Sequence, residues 1–157
     1  MEAREYRTQD KSDWGHGPWQ DEPDKMQFVD RITGLPCLIV RNHSGALCGY
    51  VGVPENHKAF ELHYDAELMR GINVHGGLTF SNHCTKGGKE EEHICHVPAP
   101  GEPDNVWWFG FDCAHSGDRL PAYHHGSVGL FGDRIKYRTI NYVKRHISKL
   151  ALQLNDL

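Results

Sequence analysis

The sequence predicts a single α+β domain: a mainly antiparallel sheet, a C-terminal amphipathic helix packed on one face, and long Gly-, His- and Cys-rich loops. Three observations predict it. Ile140, Val143, Ile147, Leu150 and Leu154 recur at alternating spacings of three and four, one stripe of an α-helix. Two apolar runs flank the turn His43-Ser-Gly45, the pattern of a β-hairpin. The chain has 157 residues, the size of one domain and enough to bury a core without staples.

Taken in order, residues 1–30 are polar, with Trp14, Trp19 and Phe28 spaced through them and turn signals at Gly15-His-Gly-Pro18 and Glu22-Pro-Asp24. They predict a segment that wraps over the sheet, pinned by its tryptophans. Strands follow near 36–42 and 46–53, the first apolar on both faces and therefore interior to the sheet. A short helix is expected near Ala66–Arg70 and a third strand near 73–80. Residues 82–105 read as a loop long enough to be functional or metal-braced. Val106-Trp-Trp-Phe-Gly-Phe-Asp-Cys113 is an aromatic fourth strand, and 116–133 a second Gly/His loop. The helix is expected over 134–155, with Asp133 as its N-cap.

Charge and composition exclude several functions. With 17 Lys and Arg against 21 Asp and Glu, the net charge is −4, which argues against a dedicated nucleic-acid surface. Lys144-Arg145-His146 with Lys149 reads as a solvated helix face. No apolar run is long enough to span a membrane, and the polar, acidic start does not read as an export signal, so a cytoplasmic protein is expected. Five cysteines without such a signal read as free thiols or metal ligands rather than disulfides.

Two polar segments carry the candidate chemistry: His75-Gly-Gly-Leu-Thr79 and Asp112-Cys-Ala-His115-Ser-Gly-Asp118. Strand alternation puts His75 and Thr79 on one face of the third strand, and Trp108 and Asp112 on one face of the fourth. If Leu78, Phe80, Phe109 and Phe111 line the core under the helix, those four rise on the opposite face, with His115 and Asp118 just past the strand end. His75 and His115 then form an acid–base pair titrating near neutrality, and Asp112 orients one imidazole. Thr79, Asp118 and Trp108 would contact substrate, and Arg41 or Arg119 would hold a phosphate.

Zinc is the main rival. His83-Cys84, His93-Ile-Cys95-His96 and Cys113-Ala-His115 offer soft ligands, of which Cys84, Cys95, His96 and Cys113 are the candidates, although no Cys-x-x-Cys pair occurs. Cys113 beside His115 could also be a nucleophile, but a cysteine on the core face behaves as a small hydrophobe. Gly76-Gly77 is not a phosphate loop, since no Gly-Lys-Ser/Thr follows.

The ordered motifs Gly49-Tyr-Val-Gly-Val-Pro54, Val74-His-Gly-Gly-Leu-Thr79, Cys95-His-Val-Pro98 and Trp107-Trp-Phe-Gly-Phe-Asp-Cys-Ala-His-Ser-Gly-Asp118 resemble a family of small proteins, uncharacterised in function, from tailed phages and actinobacteria. The resemblance covers roughly residues 10–120 and continues into the helix. It implies a protein of a bacterial or phage-infected cytoplasm, where small phage proteins often counter host defence by binding or cleaving nucleotide signals.

The expectation is a hydrolase acting on a small phosphoester or nucleotide, requiring no cofactor, with structural zinc possible. The alternatives are a non-catalytic protein that sequesters a nucleotide-like ligand and a zinc-braced protein-interaction module. Either of the first two has a small phosphorylated molecule as its partner.

Overall fold

The computed structural model describes residues 1–85, 87–124 and 134–157. Six strands, β1 (Arg4–Tyr6), β2 (Lys25–Val29), β3 (Pro36–Arg41), β4 (Leu47–Pro54), β5 (Phe80–His83) and β6 (Val106–Asp112), form one sheet in the order β1-β2-β3-β4-β6-β5. Every pairing is antiparallel. The C-terminal helix, Ile140–Asn155, lies across β4 and β3. The predicted hairpin is β3–β4, closed by a turn in which Asn42 N–H donates to Ala46 O (2.9 Å).

Strand alternation divides the sheet into two apolar faces. Under the helix lie Cys37, Ile39, Val51, Val53, Phe109, Phe111 and Cys113, meeting the buried stripe Ile140, Val143, Ile147, Leu150 and Leu154. The other face presents Leu38, Cys48, Tyr50, Val106 and Trp108, covered by Cys84 and Ile94 from the long loop after β5. Glycines on the two longest strands make room for rings directly opposite: Gly49 pairs with Phe111, Gly110 with Tyr50, and Gly52 with Trp108. A methyl group at Gly49 would come within 2.6 Å of the Phe111 ring, and one at Gly110 within 2.4 Å of Tyr50.

Five expectations need correction. Residues 1–30 do wrap, with Trp14 and Trp19 buried, but they also supply β1 and β2. In β2 the inward polar residues Lys25 and Gln27 hide the apolar alternation. Both are buried, because the 90–97 segment covers them: Lys25 Nζ donates to the carbonyls of Glu90, His93 (2.7 Å) and Cys95 (2.9 Å), and Gln27 exchanges hydrogen bonds with Val97 (N–H to Oε1, 2.8 Å). Burial lowers the Lys25 ammonium to about 8.

The third strand begins at Phe80 rather than 73. Residues 74–77 form a turn, Gly77 N–H donating to Val74 O (2.9 Å), with Gly76 and Gly77 at φ 68° and 79°, in the left-handed region that glycine tolerates. Phe80 consequently packs on Tyr50, away from the helix, while Leu78 packs on the helix side. The C-terminal helix is shorter than predicted: Thr139 is its N-cap, its side chain accepting from Tyr142 N–H (3.2 Å). Asp133 lies outside the described residues. The helix expected near 66–70 is a single 3-10 turn, Glu67–Met69.

The cysteines also depart from expectation. Cys84 and Cys95 are joined in a disulfide, while Cys37, Cys48 and Cys113 are buried free thiols. No helix among the described residues is long and apolar enough to cross a membrane.

Candidate functional site

The 74–77 turn and the segment after β6 meet beside the helix, and there His75 and His115 come together, their ring centroids 6.0 Å apart. Each has its own aspartate. His75 Nε2 lies 2.7 Å from Asp118 Oδ2, and His115 Nε2 lies 3.2 Å from Asp112 Oδ1. Gly76 permits the approach: a Cβ there would stand 2.2 Å from His115 Nε2.

Asp118 is the hub of this arrangement. It is buried, and it accepts from Arg138 Nε (2.8 Å), His75 Nε2 and the backbone N–H of His115 (3.0 Å). Burial alone would raise its carboxyl, but these donors outweigh burial and hold it below the usual aspartate range. Because an ionised Asp118 can only accept, His75 carries its proton on Nε2, and its Nδ1 accepts from the Tyr142 hydroxyl at 2.7 Å. Both nitrogens of His75 are therefore occupied.

His115 differs. Its side chain is about a third exposed, yet Nε2 is buried and, although near Asp112, makes no hydrogen bond of proper geometry. The two groups stand at ion-pair distance without a hydrogen bond between them. Asp112 is itself held by the Thr79 hydroxyl (2.9 Å) and Ala114 N–H (3.0 Å).

A third histidine completes the cluster. His146 Nδ1 accepts the His75 backbone N–H (3.1 Å), and its ring lies 5.9 Å from that of His75. Burial first, then the charges of Lys149 and Arg145, lower its pKa. With Nδ1 accepting, its proton sits on Nε2. Arg138 and Arg145 stand 4.9 and 5.7 Å over the Tyr142 ring.

Of the residues predicted from sequence, His75, Thr79, Asp112, His115 and Asp118 converge. The route differs from the prediction: His75 is in a turn, not a strand, and the cluster sits at the helix side of the strand end. Asp118 orders the site internally rather than facing substrate. Trp108 is not there; it is fully buried on the opposite face, its Nε1 3.4 Å from Cys84 Sγ and its ring 5.4 Å from His96. Arg41 is not there either. Its guanidinium is completely buried in an N-terminal cage, donating to Asp24 (2.8 Å), Gly45 O (2.9 Å), Pro23 O (3.0 Å) and the Tyr137 hydroxyl (2.7 Å). Arg119 is half-buried, its backbone N–H donating to Lys136 O (2.8 Å).

Among the metal candidates, Cys84, Cys95 and His96 cluster, whereas Cys113 lies on the helix face of the sheet. Burial pushes the Cys113 thiol strongly upward, which removes it as a nucleophile.

Arg138 and Tyr142 were missed, and His146, expected on a solvated helix face, is half-buried against His75 and Tyr142. Their spacing of four residues, in line along one flank of the helix start, was the available signal. An apolar cavity of ≈ 350 Å³ between Leu35, Pro36, Pro54 and Val106 lies at the far end of β6 from His115. Convergent chemistry, rather than this concavity, marks the candidate site. In comparisons with known proteins, the chain matches no family model, no curated protein and no solved structure.

Proposed function

We propose that the chain is a hydrolase of small phosphorylated molecules, with His115 exchanging the proton and Asp112 steadying it. The observation that carries this reading is the pair of histidines 6.0 Å apart, each backed by its own carboxylate. Such backing fixes the tautomer and stabilises the imidazolium that forms when the ring takes a proton from water. Nδ1 of His115 is the atom that would address substrate, since Nε2 faces Asp112. The Nε2–H of His146 offers a hydrogen-bond donor and Arg138 and Arg145 supply positive charge, both suited to phosphate oxygens. His75 positions: the Asp118–His75–Tyr142 line aims the phenol hydroxyl and fixes the 74–77 turn.

The saturation of His75 favours a second reading. A histidine with both nitrogens occupied has no free site for proton transfer, and a rigid, cationic, hydrogen-bonded cluster also suits a protein that only sequesters its ligand. One experiment separates the two. Substoichiometric protein is incubated with a panel of linear and cyclic nucleotides and with bis(p-nitrophenyl) phosphate. Turnover that disappears in His115→Ala, with a melting temperature within about 1 °C of the parent, supports the hydrolase. Stoichiometric capture, with the nucleotide recovered unchanged after heat denaturation, supports the sequestering protein. Neither capture nor turnover across the panel would overturn both.

A further inference from the structure

On the face of the sheet away from the histidine cluster, we infer a second site: a thiolate–imidazole site for zinc or a similar soft divalent cation, formed by Cys84, Cys95 and His96 when the disulfide is reduced. One ligand atom from each residue lies within 4.8 Å of the other two. Once the disulfide is opened, the two sulfurs must part to about 3.8 Å, the spacing that Zn–S bonds of about 2.3 Å set around a tetrahedral zinc ion.

Two observations beyond proximity point to a ligand. His96 is 6% exposed, and its Nδ1 is buried without any hydrogen-bond partner, a costly condition that a metal or a bound donor relieves. Trp108, fully buried, directs its indole N–H at Cys84 Sγ from 3.4 Å, a hydrogen bond to the ligand sulfur that steadies a thiolate. A cavity of ≈ 440 Å³ borders all three residues and is also lined by His93 and Asp104. Three protein ligands beside such a cavity leave the fourth position to water, to one of those groups or to an exogenous donor.

The backbone is already in place without metal. Lys25 clamps the carbonyls of Glu90, His93 and Cys95, so the segment carrying two of the ligands is docked on β2 independently of the sulfurs. Disulfide and metal are mutually exclusive occupants. A thiol or phosphine reductant supplies two electrons that cleave the Cys84–Cys95 bond to two thiols, and the incoming cation displaces both thiol protons to solvent. A two-electron oxidant, such as a small disulfide exchanging with the thiolates, takes the electrons back, re-forms the Cys84–Cys95 bond and releases the ion.

The test uses the full chain in its disulfide form and after anaerobic reduction with a phosphine, each titrated with Co²⁺ and then Zn²⁺. The reduced protein should bind one Co²⁺ with a thiolate-to-cobalt charge-transfer band that Zn²⁺ abolishes, and the disulfide form should show none. His96→Gln and Cys84→Ser should each weaken binding by more than about 100-fold, beyond what loss of a hydrogen bond to a ligand costs. In the unmutated chain, Zn²⁺ should protect Cys84 and Cys95 from alkylation, mapped by mass spectrometry, which keeps the test decisive if a variant misfolds. Absence of the charge-transfer band in the reduced chain, equal uptake by the oxidised chain, or alkylation unaffected by Zn²⁺ would overturn the inference.

Discussion

Replacing Asp118 by Asn tests whether one buried carboxylate organises the histidine cluster. In the parent, Oδ2 takes bonds from His75 Nε2 and His115 N–H, and Oδ1 takes Arg138 Nε. An asparagine can keep its oxygen toward His75 and His115 only by turning its NH₂ toward Arg138, donor against donor. One charge-assisted hydrogen bond is lost, about 1.5–3 kcal/mol, and those remaining weaken to neutral strength. Arg138, being partly exposed, recovers some hydration. The sum is a destabilisation of about 2–4 kcal/mol, or roughly 5–15 °C in melting temperature for a domain of this size. The loss should depend on pH in a definite direction. Because the folded Asp118 carboxyl is held below its unfolded value, its contribution is complete above the ordinary aspartate pKa, about 3.9, and fades as pH falls through the folded pKa. Parent and variant should therefore differ at pH 7 and converge toward pH 2–3 in thermal unfolding followed by circular dichroism. A variant melting within 1 °C of the parent at pH 7, or a gap that widens on acidification, would refute the hub assignment.

Other perturbations have similarly definite outcomes. Gly76→Ala combines a left-handed φ with a Cβ 2.2 Å from His115 Nε2, so it should displace that ring and abolish ligand binding or turnover, measured beside a crystal structure or the His115 NMR resonances. Asp24→Asn leaves Arg41 and Lys11 buried without their shared carboxylate and should cost about 3–5 kcal/mol by denaturant unfolding, with no specific effect on the histidine site. His146 titrates below its unfolded value, so its neutral form is the one the fold accommodates. Stability should fall as pH drops through about 6.5, and a His146→Gln variant should show a flatter melting profile between pH 7 and 5. Reduction of Cys84–Cys95, which closes a loop of 11 residues' separation, should cost about 3 kcal/mol by the chain-entropy estimate, read as a lower denaturation midpoint in the presence of a phosphine.

The parts of the fold visible in the sequence are those in which neighbours along the chain settle the outcome. The β3–β4 hairpin, the aromatic β6 and the helix stripe each follow from local periodicity, and all five stripe residues are buried as expected. Strand β2 escaped because its partner surface is not local: Lys25 and Gln27 are inward-facing polar residues satisfied by a segment 65 to 70 residues away. Arg41 read as a phosphate ligand because a lone arginine beside a turn gives no sign of its cage, which comes from Asp24 and from Tyr137, 96 residues on. The convergence of His75 and His115 was legible, but alternation was the wrong reason. Two glycines at positive φ bend the chain where an extended strand was expected. Conversely, the helix was read for its apolar stripe and for a solvated basic face that took in His146, which hid the flank where Tyr142 and His146 pack on His75. The disulfide was missed because cysteine count and presumed compartment say nothing about which loops meet.

The glycines seated beneath rings on β4 and β6 have a consequence for how the chain reaches this structure. Sliding β6 by two residues keeps every side chain on its proper face, so alternation alone would not reject it. In one direction the slip sets Tyr50 opposite Trp108 and takes the Phe111 ring from its glycine to Leu47; in the other it drives Phe111 against Val51. Each wrong alignment takes a ring off its glycine, and the second also sets Gly52 opposite Gly110 with no ring between them. The small-beside-large pairs thus act as a steric key, admitting one alignment of the two central strands during assembly. Only in that alignment does Cys113 N–H, at the end of β6, meet the carbonyl of Leu47 (3.0 Å), which sets where the segment carrying Asp112 and His115 leaves the sheet.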